Sequence, residues 1–476
     1  MTHRHHSHRG QLDDGLDFRP QFSREGESVN LPRRRISKDS VDPSTAYQII
    51  HDELMLDGNS RLNVATFVTT WMEPEADRLM QESAAKNMID KDEYPQTAQI
   101  EARCLDILAD LWHVPSPDEP VGCSTTGSSE ACMLAGLALK WHWRNRRGLT
   151  ARDAQRPNLV MGANAQICWL KFCRYWDVEA RTVPVRPGET TLHPDDAAAA
   201  CDDDTIGVVA ILGSTYDGSY EDVRGIAAAL DRLESQSGLD VPVHVDAASG
   251  GFIAPFLDTD LEWDFRVARV ISINASGHKY GLVYPGVGWI LWRDDAARPK
   301  DLVFHVDYLG GDMPTMALNF SRPGAQVVAQ YYCFLRLGHE GYVRVQQHSR
   351  EVAQFLAAGI ADMPCFELIS DGSDLPVVAF CLRGAATKTG QPRKRSFADK
   401  ADFTVYDVSD AMRTGGWQIP AYSFCADREG LDILRIVVRN GFSRDLAVML
   451  LHDLGAAIGK LEGSDKGNKP GAAFRH

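Results

Sequence analysis

Apolar runs of strand length alternate along this chain with stretches of helical period. Asn158 to Gly162, Gly207 to Leu212 and Val241 to Val245 are short and largely apolar, and each is read as a buried strand. Val270 to Ile273 and a run resuming at Val287 read as two more. Gln166 to Trp176 and Asp222 to Glu234, between them, are spaced as helices. Strands apolar along their whole length that alternate with helices imply a parallel or mostly parallel sheet. Upstream, helices are expected over Ala46 to Leu56, Ala76 to Asn87 and Thr97 to Trp112. Downstream, helices at Gln326 to Leu337 and Tyr342 to Met363 lead into short strands and helices, among them Val377 to Leu382, Val405 to Thr414 and Leu434 to Val438. A helix over Phe442 to Leu461 closes the pattern. In sheets of this kind ligands bind beyond the strands' carboxyl ends. The pattern puts Thr215, Asp246 and the loop 276–279 there.

Composition narrows the picture. The 476 residues allow two to four domains and a large core. A net charge of −15 argues against a nucleic-acid binder, although Arg33-Arg34-Arg35 is a local basic cluster, read as solvated or subunit-contacting. No apolar run reaches the ~20 residues of a membrane span, and the polar N-terminus, with His3, His5, His6 and His8, has no secretory core. Residues 1–61 read as an arm engaged in assembly, and 463–476 as a mobile tail. Ten scattered cysteines without zinc spacing fit reduced core residues in the cytoplasm, with no metal expected.

The candidate chemistry centres on ISINASGHKYGLVYPGVGWILW, residues 271–292. A lysine held between two buried strands is costly as a bare ammonium. Lysines so placed form Schiff bases, most commonly with pyridoxal 5'-phosphate (PLP). The alternative is a surface turn lysine. A PLP site also needs a carboxylate facing the pyridine nitrogen, and Asp246 stands at a strand end; a lone Asp there otherwise caps the next turn. Ser128 and Ser129 open a helix behind Gly127, whose backbone admits a ligand, and this is a phosphate cradle in kind. Its plain alternative is an N-cap with Glu130 in the first turn. Ser276 and His278 flank Lys279, and Ala248 and Gln166 are the candidates to sandwich a ring. HVDAASGG followed some thirty residues later by S-x-H-K is far more specific than either alone.

The segments CSTTGSSEACMLAGLALKW, QICWLKFCRYWDVE, HVDAASGGFIAPF and SINASGHKYG resemble the glutamate-decarboxylating branch of the PLP-dependent group II decarboxylases. The resemblance continues through DELMLDGN, NMIDKDEYP, VDYLGGD, NFSRPGAQVVAQYY and ILRIVVRNGF, from about Ala46 onward. It implies an α/β fold of the type I PLP-dependent transferase class, like aspartate aminotransferase. The implied parts are a seven-stranded, mostly parallel sheet in a large domain, 62–349, and a smaller α+β domain, 350–462. It implies Lys279 as the Schiff-base lysine, Asp246 paired with the pyridinium, and Ala248 and Gln166 on the two ring faces. Ser128, Ser129, Ser276 and His278 would hold the phosphate, with Ser321 from a neighbouring subunit. Thr215 would lie near the reacting carboxylate or a cofactor oxygen. Thr66 and Phe67 would meet the distal carboxylate of L-glutamate, with Asn87 and Asp90 from the neighbour, and Arg435 would bind a substrate carboxylate. Leu170 departs from relatives that carry a polar residue there. The implied activity is α-decarboxylation of L-glutamate to 4-aminobutyrate and carbon dioxide, with one proton consumed, which suits acid resistance. Lys279 or a residue of the 308 loop would return the proton at Cα. A decarboxylase of an aromatic amino acid or of aspartate is the alternative. The resemblance further implies a cytoplasmic homodimer at least, or a homohexamer, and Phe474-Arg475-His476 resembles a tail that closes the site at neutral pH.

Overall fold

The computed structural model describes residues 35–36, 40–117, 119–150, 156–307, 313–385, 401–426, 428 and 430–463. The expectations for the histidine-rich N-terminus, Arg33 and Arg34, the 308–312 loop and the tail from 464 lie outside these residues. The chain forms two compact units, Met1–Asn59 and Ser60–His476. In the first, α1 (Pro43–Leu54) starts at Asp42, whose carboxylate accepts from Ser44 N at 2.8 Å. Its Tyr47, Ile50 and Leu54 are exposed.

The second unit opens with α2 (Pro74–Glu82) and α3 (Pro95–Leu111). A strand–helix series follows: β1 (Val121–Thr125), α4 (Ser128–Arg146), β2 (Asn158–Gly162), α5 (Ile167–Tyr175), β3 (Glu179–Val183), α6 (Pro194–Ala199), β4 (Thr205–Ile211), α7 (Val223–Ser237), β5 (Val243–Asp246), α8 (Ala254–Leu257), β6 (Val270–Ala275) and β7 (Gly288–Trp292). The seven strands form one sheet in the order β1-β7-β6-β5-β4-β2-β3. β7 alone runs against its neighbours. Every position of β4 is buried, as a strand covered by helices on both faces must be.

β8 (Phe304–Val306) and β9 (Met313–Thr315) make a two-stranded ribbon. Then α9 (Ala325–Ala361) runs past the expected boundary at 349, joining what the pattern split into two helices. Gly338, at φ 57° and ψ −174°, is the non-helical joint between them, a conformation open to glycine. The smaller sheet, β10 (Phe366–Asp371), β11 (Val377–Leu382), β12 (Ala421–Ser423) and β13 (Asp432–Val437), is antiparallel in the order β10-β11-β13-β12. It packs with α10 (Val405–Thr414) and α11 (Arg444–Gly463) around its own core of Phe366, Phe380, Leu434, Ile436 and Trp417. Among the described residues no helix is long and apolar enough to cross a membrane.

Three departures from the pattern have physical causes. α2 ends at Glu82, not Asn87, because residues 86–88 pair with 322–324: Gly324 N donates to Lys86 O, Met88 N to Arg322 O, and Arg322 N to Asn87 Oδ1. Tertiary pairing overrides helix propensity there. β1 is a short mix of Val121, Gly122, Cys123, Ser124 and Thr125, and β3 is a mostly exposed edge strand, so neither shows an apolar run.

Candidate active site

β5 and β6 end side by side, and the loop that leaves β6 toward β7 carries Lys279. The loop is pinned from far away in sequence: Thr69 N donates to His278 O at 2.8 Å and Thr69 Oγ1 to Lys279 O at 2.7 Å. Ser276 N donates to Ala248 O, tying it to the end of β5. At these strand ends lies a cavity of ≈ 480 Å³, a volume ordinary for a small-molecule site. Thr66, Phe67, Gly127, Ser128, Ser129, Gln166, Thr215, Asp246, Ala248, Ser276, His278 and Lys279 all line it.

The Lys279 amine donates to Ser249 Oγ at 3.2 Å and lies 5.3 Å from the centroid of the Phe67 ring. No carboxylate pairs with it within salt-bridge distance among the described residues. Burial lowers its pKa, opposed chiefly by the negative charge of Asp246. Asp246 is 5% exposed. Three N–H donors converge on its carboxylate: Trp169 Nε1 at 2.9 Å, Asn274 Nδ2 at 3.1 Å and Ala248 N at 3.1 Å. Across the cavity, α4 begins at Gly127 without a side-chain cap, so the N–H groups of its first turn face outward with the positive dipole end. Ser128 Oγ and Ser276 Oγ, 2.6 Å apart, sit beside it, while the Glu130 carboxylate, also on the wall, accepts from Thr126 and from the backbone N–H groups of Leu318 and Asn319. A Cβ on Gly127 (φ +154°) would stand 3.1 Å from His278 Cε1. His278 Nδ1 bonds Val287 O at 2.8 Å, and burial, with Lys279 nearby, lowers its pKa to about 4. The Gln166 side chain caps its own helix, accepting from Cys168 N.

Four expected residues are not on the cavity wall. Arg435 stands one layer behind it: its guanidinium donates to the carbonyls of Ala65, at 2.6 Å, and Thr215, both wall residues, and packs on the rings of Phe67 and Tyr422. Asn87, Asp90 and Ser321 form a separate cluster, with Asn87 Nδ2 donating to Asp90 Oδ2 at 2.9 Å and to Ser321 Oγ at 3.4 Å. Residues the pattern did not single out are Ser249, Trp169, Asn274, Asn164 and Cys168. Trp169 follows Gln166 by three positions, one helical turn, and that spacing was the available signal. Cys132, Cys168 and Asp246 hold ligand atoms within 4.8 Å of one another, a set able to bind a metal ion.

A model of the "Pyridoxal-dependent decarboxylase conserved domain" matches residues 37–383. The chain belongs to the pyridoxal-dependent decarboxylases. It is 50% identical over 450 residues to a glutamate decarboxylase of Aliivibrio fischeri, covering 94% of each chain. It is 44% identical over 448 residues to one of Lactococcus lactis, covering 94% of this chain and 93% of that one. The solved glutamate decarboxylase of Lactobacillus brevis superposes with a TM-score of 0.86 at 45% identity, covering 94% of this chain and 99% of that one. A sphingosine-1-phosphate lyase of Burkholderia pseudomallei, 21% identical, shares the fold with a TM-score of 0.73 over 90% of this chain and 92% of that one. The fold is thus that of the type I PLP enzymes, with a smaller C-terminal domain on its own sheet, and PLP is the cofactor of this decarboxylase. The residues present fit it: an amine without an acid partner, a buried carboxylate, and an uncapped helix start with two hydroxyls share one cavity.

Proposed function

We propose that this decarboxylase removes the α-carboxylate of L-glutamate, giving 4-aminobutyrate and carbon dioxide. The observation that carries the reading is the meeting of Lys279, Asp246 and the α4 N-terminus in one cavity, in a chain that matches glutamate decarboxylases along nearly its whole length. Lys279 is the amine that would hold the cofactor, and its lowered pKa leaves more of that amine neutral and nucleophilic. Asp246 would face the ring nitrogen. The N–H groups of Ser128 and Ser129, with the Ser128 and Ser276 hydroxyls, would hold the phosphate, with His278 beside it. Ala248 and Gln166 would flank the ring. Bound there, PLP supplies a sink for the electron pair released from Cα. The protein would select the bond that breaks by fixing its torsion against the ring, a task assigned to Thr215, Thr66 and Phe67 on the wall and to Arg435 behind it. Lys279 or a residue of the 308 loop would return the proton at Cα.

Asn87, Asp90 and Ser321 lie together away from this chain's own cavity, which supports a role in a second subunit's site and therefore a homodimer at least. A homohexamer with the arm 1–61 in its contacts is consistent with the exposed Ile50 and Leu54 of α1. The large domain is taken as 62–349 and the small one as 350–462. We place the protein in the cytoplasm, where a reaction that consumes one proton per turnover serves acid resistance. Incubation with glutamate, aspartate and tyrosine tests the reading. Carbon dioxide and 4-aminobutyrate from glutamate support it. Release from tyrosine or aspartate with none from glutamate overturns it.

A further inference from the structure

Behind Asp246 a chain of hydrogen bonds crosses from β5 to β6. His244 Nδ1 lies 2.8 Å from Ser272 Oγ, His244 Nε2 lies 2.8 Å from Asn274 Oδ1, and Asn274 Nδ2 donates to Asp246 Oδ1 at 3.1 Å. All four residues are buried, His244 and Asn274 completely. The directions are fixed by chemistry. A flipped Asn274 amide would set its oxygen against a carboxylate oxygen, so Nδ2 faces Asp246 and Oδ1 faces His244. An amide oxygen only accepts, so His244 carries its proton on Nε2. Burial lowers the pKa of His244 to about 4, so its ring is neutral and Nδ1 accepts from the Ser272 hydroxyl. Trp169 closes the arrangement, its ring 5.1 Å from that of His244 and its Nε1 on Asp246 Oδ2. The Cys132 thiol adds weak contacts, at 3.6 Å to Asn274 Oδ1 and 3.8 Å to Asp246 Oδ2.

We infer that Asn274 and His244 are positioning residues for the cofactor: the one-way chain Ser272–His244–Asn274 fixes the rotation of the Asp246 carboxylate and thereby keeps the pyridine nitrogen protonated. The inference rests on the reading above that Asp246 faces that nitrogen. Asn274 spends its amide on Asp246, and His244 spends a proton on holding Asn274, with no polar atom of either turned to the cavity. Their service is therefore to Asp246 and not to substrate. Each link borrows strength from the next, because a polarised amide donates more strongly.

The test is to reconstitute apoprotein with PLP labelled with nitrogen-15 in the ring, and to read the nitrogen shift and the PLP dissociation constant. Asp246→Asn first checks the underlying reading: if it leaves the shift of a protonated ring nitrogen unchanged, Asp246 does not face the ring and that reading fails. If Asp246→Asn does move the shift, Asn274→Ala tests the inference. The shift moves toward the unprotonated value and PLP binds about tenfold more weakly, the worth of one hydrogen bond to a charged group. His244→Leu and His244→Gln form a second pair that keeps the test decisive if Asn274→Ala does not fold. Leu breaks the chain and moves the shift, whereas Gln keeps a donor toward Asn274 and an acceptor toward Ser272 and restores it. Folded Asn274→Ala with wild-type shift and affinity, or His244→Leu and His244→Gln behaving alike, overturns the inference.

Discussion

Replacing Arg435 with Lys separates two jobs that its position permits. The guanidinium has five N–H donors. Two atoms, Nη1 and Nη2, are spent on the carbonyls of Thr215 and Ala65. Nε is buried and has no partner among the described residues, and no carboxylate pairs with the side chain there. Carboxylate binding is the role proposed for the donors left over. The two carbonyl bonds, by contrast, hold wall segments in place. Lysine keeps the charge but offers it from one point, so it cannot hold two carbonyls and a substrate carboxylate together. Losing a charge-assisted, two-pronged contact removes about 2–3 kcal/mol, which at ~1.4 kcal/mol per decade lowers kcat/KM about 30–150-fold. Steady-state carbon dioxide release reads that ratio, and a thermal melt reads the wall. If Arg435 meets glutamate, kcat/KM collapses while the melting temperature shifts by only a few degrees. A variant with kcat/KM within about threefold of wild type refutes the substrate role, and a large loss in melting temperature would assign Arg435 to holding Thr215 and Ala65.

Three further expectations follow from particular contacts. Gly127→Ala puts a methyl 3.1 Å from His278 at φ +154°; PLP binding to the apoprotein weakens at least tenfold, measured by fluorescence titration, and unchanged affinity would place the phosphate elsewhere. Glu221 is buried, and burial raises its carboxyl to about 7 from 4.5, against hydrogen bonds from Asn164, Ile211 and Leu192. The folded chain therefore holds this proton more tightly than the unfolded one, so its contribution is full below about 4.5 and is lost as pH rises toward 7, on the order of 3 kcal/mol. Denaturant midpoints across that window fall more steeply for wild type than for Glu221→Gln; parallel curves would contradict the assignment. Finally, Lys279→Ala protein mixed and re-assembled with an inactive Asn87→Ala/Asp90→Ala protein regains activity in hybrid dimers if the cluster at 87–90 serves a neighbour, and stays inactive if it serves its own chain.

The central strands were legible because burial on both faces leaves no choice of residue. β4 is buried at every position, so its apolar run announces it. β3, with Glu179, Ala180 and Thr182 exposed on the sheet edge, obeys no such demand and carries no run to read. The lysine loop was legible for a related reason: two apolar strands bracket a polar turn, and β6 and β7 are indeed adjacent and antiparallel. What holds that loop was not legible. Thr69 reaches it from 210 positions away, and nothing in the spacing of residues near 69 states that its hydroxyl meets Lys279 O.

The same division runs through the site. Residues that touch a ligand at strand ends fall in short, unusual motifs, since a carboxylate, an amine and a helix start must each appear at a turn. Residues that support them do not. Asn274 and His244 lie inside strands, where a polar side chain reads as a blemish in an apolar run, and only the pairing of β5 with β6 brings His244 opposite Ser272. Arg435 is in the same position on β13, where it sits opposite Ala379 in the smaller sheet and yet reaches the wall of a cavity formed by the larger one. The small sheet thus sets a cation one layer behind the wall of a cavity at the strand ends of the large one. A change in how the two sheets sit against each other would move Arg435 relative to Lys279 without altering either residue's own element, so substrate affinity should respond to substitutions at the Arg350–Asp258 ion pair, which joins α9 to the end of α8 at 2.6 Å, far more than cofactor affinity does.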